Sequence, residues 1–318
     1  MKTVLIVTHQ HGFEADPVID ALRSLNIPVF RFNLDAGENA SGISINLTGS
    51  SYNIMLSCDN RSISGADIGI GWCQQLWPYS VQSTDQKSAL QYRNLLALQS
   101  EAFNSIDIPW LNHPTNAQIA SNKIRQLLYA RSIGLNVIET LISNIPSDIR
   151  KFCSNSSSVA KNLATPWIVE RQNSLAAYTK SVRAEWLNED KALSFSPVIY
   201  QRFCKRKRDI RVVVVGDKIF TAQCTPNQEQ SEDMRNCGTT GQGFTPCDFD
   251  KKATKLLLAL MRRLSIEYCS ADFMEDEDGI LYFLETNVCG AWWWVDRLYN
   301  GAIYQTIVDY LHSRLLKK

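Results

Sequence analysis

The chain contains nine cysteines (Cys58, Cys73, Cys153, Cys204, Cys224, Cys237, Cys247, Cys269 and Cys289) but no CxxC pair. No signal-peptide pattern precedes them, so the expectation is reduced thiols in a cytoplasmic protein rather than a disulfide framework. No apolar run reaches the roughly 20 residues that span a bilayer, which argues against a membrane protein. Charge of one sign is also missing: the formal net charge is +1, without the basic excess of a general nucleic-acid footprint. Internal repeats, long low-complexity tracts, a Walker A sequence, a GxGxxG after a strand and a GxSxG elbow are all absent. Any nucleotide site must therefore use another architecture.

What is present is ordinary in bulk. Its 318 residues allow two or three domains, and 45% hydrophobic with 20% charged residues suits a globular chain with a large core. The informative stretch is Ser270 to Asn287, where two apolar runs flank the acidic, glycine-containing turn Glu275-Asp276-Glu277-Asp278-Gly279. That pattern predicts a β-hairpin. A turn centred near Asp278 sets Asp272 opposite Glu285, and Asn287 shares their face two residues on. Two carboxylates and a carboxamide gathered with no obvious basic partner suit Mg²⁺, a hard cation that takes oxygen ligands. The turn acids themselves read as a solvated surface run. Glu285 and Asn287 follow a strand too apolar to be fully exposed.

Along the chain, Met1–Thr8 reads as a buried parallel strand. Asp16-Pro17 reads as cap and first residue of a helix carrying Val18, Ile19, Ala21, Leu22 and Leu25 inward, and a strand follows at Val29–Phe32. This β-α-β opening predicts an α/β N-terminal domain. His9 and His11 are read as polar turn residues, since zinc sites usually need three or four ligands. Ser41–Ser64 is expected to be a meander at the sheet edge, Ile68–Cys73 a strand, and Gln86–Phe103 a helix with Leu90, Leu95, Leu96, Leu98 and Phe103 at helical spacing. A single helix is expected over 116–133, with Lys123 inside it. Strands follow at 136–141 and 159–163, the second carrying Lys161, which in an apolar strand is ordinarily an edge or snorkelling residue. Lys205-Arg206-Lys207-Arg208 reads as a solvated basic loop. Asp209–Val215 and Lys218–Gln223 form a hairpin across Gly216-Asp217, and Arg211 within it calls for an anionic neighbour. Gln228–Phe244 is polar and glycine-rich, a candidate mobile loop, while 249–264 and 301–316 close as helices.

The ordered set Lys123, Lys161, Gln201-Arg202-Phe203, Asp209-Ile210-Arg211-Val212, Asp272 and Glu285-Thr286-Asn287 resembles the ATP-grasp ligases. The resemblance covers roughly residues 115 to 300. It implies an α/β (α+β) ATP-grasp fold, with an N-terminal α/β domain (1–115), a central domain (116–195) and a C-terminal domain (196–318). ATP would lie between the last two. Cofactor contacts would come from Lys123, Lys161, Gln201, Arg202, Phe203 and Asp209, with the strand exit at 201–203 offering backbone groups to adenine. Mg²⁺ would sit on Asp272, Glu285 and Asn287. Within that superfamily the chain is similar to the microviridin (graspetide) peptide maturases, through Asp16-Pro17-Val18-Ile19, Arg31 with Asn33, Asn112 with Pro114, Asp209–Phe220, Asp233 with Arg235, and Glu285–Trp294. It departs from them at Val288 and Ala291, and residues 162–166 lack the glycines common in the wider superfamily; these departures bear on which peptide is accepted.

That resemblance implies activation of Asp or Glu side chains of a ribosomally made precursor peptide as acyl phosphates, then intramolecular ester or amide closure. Arg211 and Arg235 would be the catalytic cations. A leader segment of the peptide would dock around Thr179–Asp190, and related maturases suggest a homodimer. Of Trp292-Trp293-Trp294, core packing should claim at least one. The alternatives are a ligase joining amino acids or amines to other carboxylates, as RimK-like enzymes and glutathione synthetase do, a nucleotide-binding scaffold without turnover, and a nucleic-acid module resting on Lys205–Arg208.

Overall fold

The computed structural model describes residues 1–34, 41–75, 86–163, 167–170, 173–176, 179–226 and 243–316. The N-terminal region supplies β1 (Thr3–Thr8), α1 (Asp16–Ser24), β2 (Val29–Asn33), β3 (Ser41–Thr48), β4 (Ser51–Cys58), β5 (Arg61–Ser64), β6 (Ile68–Cys73), α2 (Gln86–Asn104) and β7 (Trp110–Leu111). β2-β1-β6-β7 form one parallel sheet. Alternation along β1 feeds two cores: Val4 and Ile6 face one, Leu5 and Val7 the other, as in a parallel strand covered on both faces.

Several expectations change here. β3-β4-β5 form a separate three-stranded sheet rather than an edge of the parallel one, because Ile54 and Leu56 turn inward against Phe30, Phe32 and Phe103. Asp16 starts α1 but does not cap it; its carboxylate takes Arg31 at 2.5 Å, and Arg31 also binds Asn33 at 2.8 Å. Leu25 lies past the last turn of α1, and Leu90, Leu95 and Leu98 of α2 are exposed.

The middle of the chain supplies α3 (Pro114–Ala120), α4 (Lys123–Ser132), β8 (Thr140–Ser143), α5 (Pro146–Ser154), β9 (Ser158–Asn162), β10 (Trp167–Glu170), β11 (Asn173–Ala176), β12 (Lys180–Ser181), α6 (Asp190–Phe195) and β13 (Val198–Arg202). The single helix expected over 116–133 is two. Asn122 breaks it by accepting the Arg125 amide at 3.0 Å, which makes Asn122 the cap and Lys123 the first residue of α4. β12-β9-β13-β8 form an antiparallel sheet, so β9, with Lys161, is an inner strand rather than an edge.

The last part supplies β14 (Arg206–Val215), β15 (Lys218–Cys224), β16 (Thr245–Pro246), α7 (Lys251–Leu264), β17 (Tyr268–Asp276), β18 (Leu281–Asn287), α8 (Trp293–Asp296) and α9 (Ala302–Leu315). The sheet order is β16-β15-β14-β17-β18, and Gly216 makes the β14–β15 turn at φ +61°. Val212 and Val214 face α3, α4 and α7; Val213 and Val215 face the core shared with the N-terminal sheet. α9 packs back on α1 and β6, burying Ile303, Ile307, Val308 and Leu311 completely. At about 1.5–3 kcal/mol for each such side chain, this helix helps to join the first sheet to β14 through a common core.

Candidate active site

The predicted hairpin forms, with Asp272 opposite Glu285 and Ser270 opposite Asn287. One irregularity makes it serve two purposes. Phe273 pairs with Phe283, so Leu284 is an extra residue on β18 and a bulge separates that pair from Asp272–Glu285. In an unbroken strand residues 283 and 285 would share a face. The bulge re-aims them: Phe283 enters the core with Phe273, while Glu285 turns to Asp272. Asn287 Nδ2 donates to Asp272 Oδ2 and to Glu285 Oε1, both at 3.4 Å. Two hard carboxylates thus converge on one carboxamide, and a half-turn of that amide presents Oδ1 to the same point. The donor set fits Mg²⁺, which takes one or two carboxylates and leaves its other positions to phosphate and water.

The hairpin is not without basic partners, contrary to its sequence reading. Lys123 Nζ lies 3.1 Å from Glu285 Oε2, and Arg211 Nε lies 2.8 Å from Asp272 Oδ1. Burial pushes the Glu285 carboxyl up, but Lys123 and then Lys161, with hydrogen bonds from Lys123 and Asn287, hold it below the usual carboxylate range. Arg211 meets the anion its strand position called for. It also donates to Ser270 Oγ at 2.9 Å and lies over the Trp294 ring at 5.6 Å. Trp292 and Trp294 are buried, Trp294 against Phe244 at 4.7 Å, whereas Trp293 packs against Phe13 at 5.5 Å. Gly290 is required by close approach: a Cβ there would stand 2.7 Å from the Cβ atoms of both Asn287 and Ser270.

A small cleft lies between the β9–β13 sheet and the β17–β18 hairpin. Ile138, Val159, Met274 and Leu284 give it apolar walls, and Lys161 and Gln201 stand within it. Gln201 is buried and donates to Thr140 Oγ1 at 2.8 Å. The strand exit is more committed than its sequence suggests. The amides of Arg202 and Phe203 donate to the carbonyls of Glu139 (3.1 Å) and Ser157 (2.9 Å), so neither is available to a base. The Arg202 guanidinium binds Glu139 at 2.9 Å and stacks on Phe152 at 3.9 Å. Asp209 is fully buried and receives both oxygens' contacts from Arg206 at 2.9 and 3.0 Å. It stands as one half of an internal ion pair.

The basic stretch and the acidic turn, both read as solvated, bind each other. Lys205 meets Glu277 at 2.9 Å, Lys207 meets Glu275 at 2.6 Å, and Arg208 meets Glu275 at 2.5 Å. Glu275 and Asp276 are buried, and Lys207 first, then Arg208, hold Glu275 below the usual range against a burial penalty. Arg235 and Asp233 lie outside the described residues, as does most of the glycine-rich loop.

Two carboxamides fasten this region: Asn112, which the sequence offered only as part of a resemblance and without a role, and Gln126, which it did not single out. Asn112 Nδ2 donates to the carbonyls of Tyr268 (2.8 Å) and Val288 (3.0 Å), while its Oδ1 accepts the amides of Glu267 (2.6 Å) and Tyr268 (2.8 Å). Gln126, buried on α4, grips the main chain of Thr286. Glu14 accepts the amides of Trp292 (3.2 Å) and Trp293 (3.4 Å), and burial pushes its carboxyl up. Each is a buried polar group whose partners lie far along the chain, a signal that spacing alone does not carry.

Residues 120–311 match the model of the RimK-like ATP-grasp domain, which covers more than half of the chain. The chain belongs to the RimK-like ATP-grasp family. Its fold is that of an ATP-grasp ligase from Chryseobacterium gregarium described as RiPP-associated and solved with ADP, a leader and a core peptide. The two agree with a TM-score of 0.88 at 23% identity, over 99% of this chain and 97% of that one. The macrocyclase MdnC of Microcystis aeruginosa, solved with precursor peptide MdnA, superposes at 0.86 with 24% identity, over 97% and 98%. Sequence relatives include the tetrahydromethanopterin:alpha-L-glutamate ligase of Methanococcus maripaludis, 28% identical over 32% of this chain and 33% of that protein. The human beta-citrylglutamate synthase B is 25% identical over 38% and 31%. The ATP-grasp chain thus aligns with about a third of the length of these relatives. Among its described residues no helix is long and apolar enough to cross a membrane.

Proposed function

We propose that this chain is an ATP-dependent ligase that activates Asp or Glu side chains of a ribosomally made precursor peptide and closes them into intramolecular esters or amides. The observation that carries the reading is the convergence of Asp272, Glu285 and Asn287 with Lys123 and Arg211. The likeness of fold, over nearly the whole chain, to one ligase solved with a leader and core peptide and another solved with its precursor peptide supports the peptide as substrate.

In that reaction a substrate carboxylate oxygen attacks the γ-phosphorus, ADP leaves, and a hydroxyl or amine then attacks the acyl carbon and expels phosphate. The net change is one water lost per ring. Mg²⁺ on Asp272, Glu285 and Asn287 would neutralise phosphate charge as the phosphoryl group moves. Lys123 and Lys161 hold phosphate oxygens from the two sides of the cleft, and Arg211, freed from full commitment to Asp272 when a cation arrives, faces the acyl phosphate. Arg235 is assigned to the same substrate charge. Gln201 shapes the adenine end; Arg202, Phe203 and Asp209 hold the strand exit that forms its wall. The leader docks on the exposed stretch that includes Arg183 over Trp186, 5.6 Å apart, and the enzyme acts as a cytoplasmic homodimer.

Intact-mass spectrometry of a candidate precursor peptide with this protein, ATP and Mg²⁺ tests the proposal. Losses of whole waters that vanish in Glu285→Ala support it. A mass gain that requires an added amino acid or amine overturns it in favour of a ligase between two molecules, a second reading favoured by the glutamate-ligase relatives. Absence of ADP with every peptide and acid overturns both.

A further inference from the structure

We propose that Gln126 is a positioning residue for the metal site, acting through the main chain of Thr286. Its side chain is 2% exposed on a helix whose other inward residues, Leu127 and Ala130, are apolar. A buried carboxamide is tolerated only when its groups are paired, and this one is paired to a purpose. Oε1 accepts the Thr286 amide at 2.9 Å and Nε2 donates to the Thr286 carbonyl at 2.8 Å, while Nε2 also donates to the Ala120 carbonyl at 2.7 Å.

β18 is an edge strand, and Thr286 is itself buried. Without Gln126 its outward amide and carbonyl would be buried and unpaired. The reciprocal bonds substitute for a missing neighbouring strand at one residue, the residue between Glu285 and Asn287. Both of those side chains lie on the face that carries Asp272. Gln126 therefore fixes the dihedral angles that aim them.

The same helix brings a second constraint. Lys123, one turn before Gln126 and on the same face, holds Glu285 at 3.1 Å. The helix thus grips β18 twice, once by a side chain and once by its backbone. A carboxylate aimed by Lys123 alone could follow the lysine; with Thr286 pinned, it holds its separation from Asn287 and Asp272. Support of ligands by such outer contacts is worth roughly 10–100-fold in metal affinity.

The inference rests on the magnesium reading of Asp272, Glu285 and Asn287, so the test separates the two. Mn²⁺ binding to the full chain with ADP is followed by electron paramagnetic resonance, and ADP binding in EDTA by calorimetry. Gln126→Met, which keeps length but loses both bonds, is expected to weaken Mn²⁺ about 10–100-fold and leave metal-free ADP affinity within about twofold. Gln126→Asn, one methylene short, is expected to lose less. Mn²⁺ affinity within twofold of wild type in a folded variant, or a metal-free ADP affinity falling by the same factor, overturns the positioning role; if the Met variant does not fold, the Asn variant decides. Mn²⁺ affinity unchanged in Glu285→Ala would instead show that the metal reading had failed.

Discussion

Lys123 Nζ and Glu285 Oε2 meet at 3.1 Å, the lysine as the first residue of a helix and the glutamate on an edge strand. A cation at a helix N-terminus sits against the positive end of the helix dipole. Glu285 offsets that cost, and the combined charge of lysine and helix end attracts phosphate. Lys123→Met should lower the rate of ATP turnover about 10²–10³-fold while leaving the fold intact. Coupled ADP release and circular dichroism check this together.

The same pair gives a pH dependence. Glu285 is held below its ordinary 4.5, burial opposing and the two lysines prevailing. A carboxyl depressed in the folded state contributes stability that is present above its unfolded pKa and lost as pH falls through the folded one. Unfolding midpoints in urea should drop on acidification below about 4.5, and less steeply in Glu285→Gln.

Asp209 is buried with Arg206. Asp209→Ala leaves the partly buried Arg206 guanidinium without this partner, at a cost of up to about 3 kcal/mol. Replacing both, Arg206→Met with Asp209→Leu, should recover most of that loss. Guanidinium denaturation of the three proteins forms the comparison.

Asn112→Ala should cost at least about 1–3 kcal/mol by leaving the buried peptide groups of Tyr268 unpaired. Because Asn112 also holds the carbonyl of Val288, next to Asn287, Mn²⁺ affinity should fall with it. Thermal unfolding and metal titration on one preparation read both effects.

The hairpin of β17 and β18 was legible because alternation and a glycine-containing turn are local signals, and the opposition of Asp272 and Glu285 followed from them. The bulge at Leu284 was not, since an extra residue leaves no compositional mark. Nor was the break before Lys123: apolar spacing continues across it, and only the capping of Asn122 interrupts the helix. Both charge runs looked solvated because each finds its partners across a sheet, Lys207 and Arg208 on Glu275, with β14 and β17 adjacent. Asn112 stood out only through a resemblance, and Gln126 not at all; neither shows its role until residues from Glu267 to Val288 arrive beside them. Local pattern reveals elements and faces; it does not reveal which distant backbone a buried amide will hold.

α9 covers a face of the sheet that contains β1 and β6, although most of the chain lies between it and those strands. During synthesis at about 5–20 residues per second, the helix follows those strands by roughly ten seconds or more. For that interval Val4, Ile6, Ile70 and Trp72 lack the side chains that cover them in the finished molecule. The first sheet made in this chain is thus among the last of its parts to be covered.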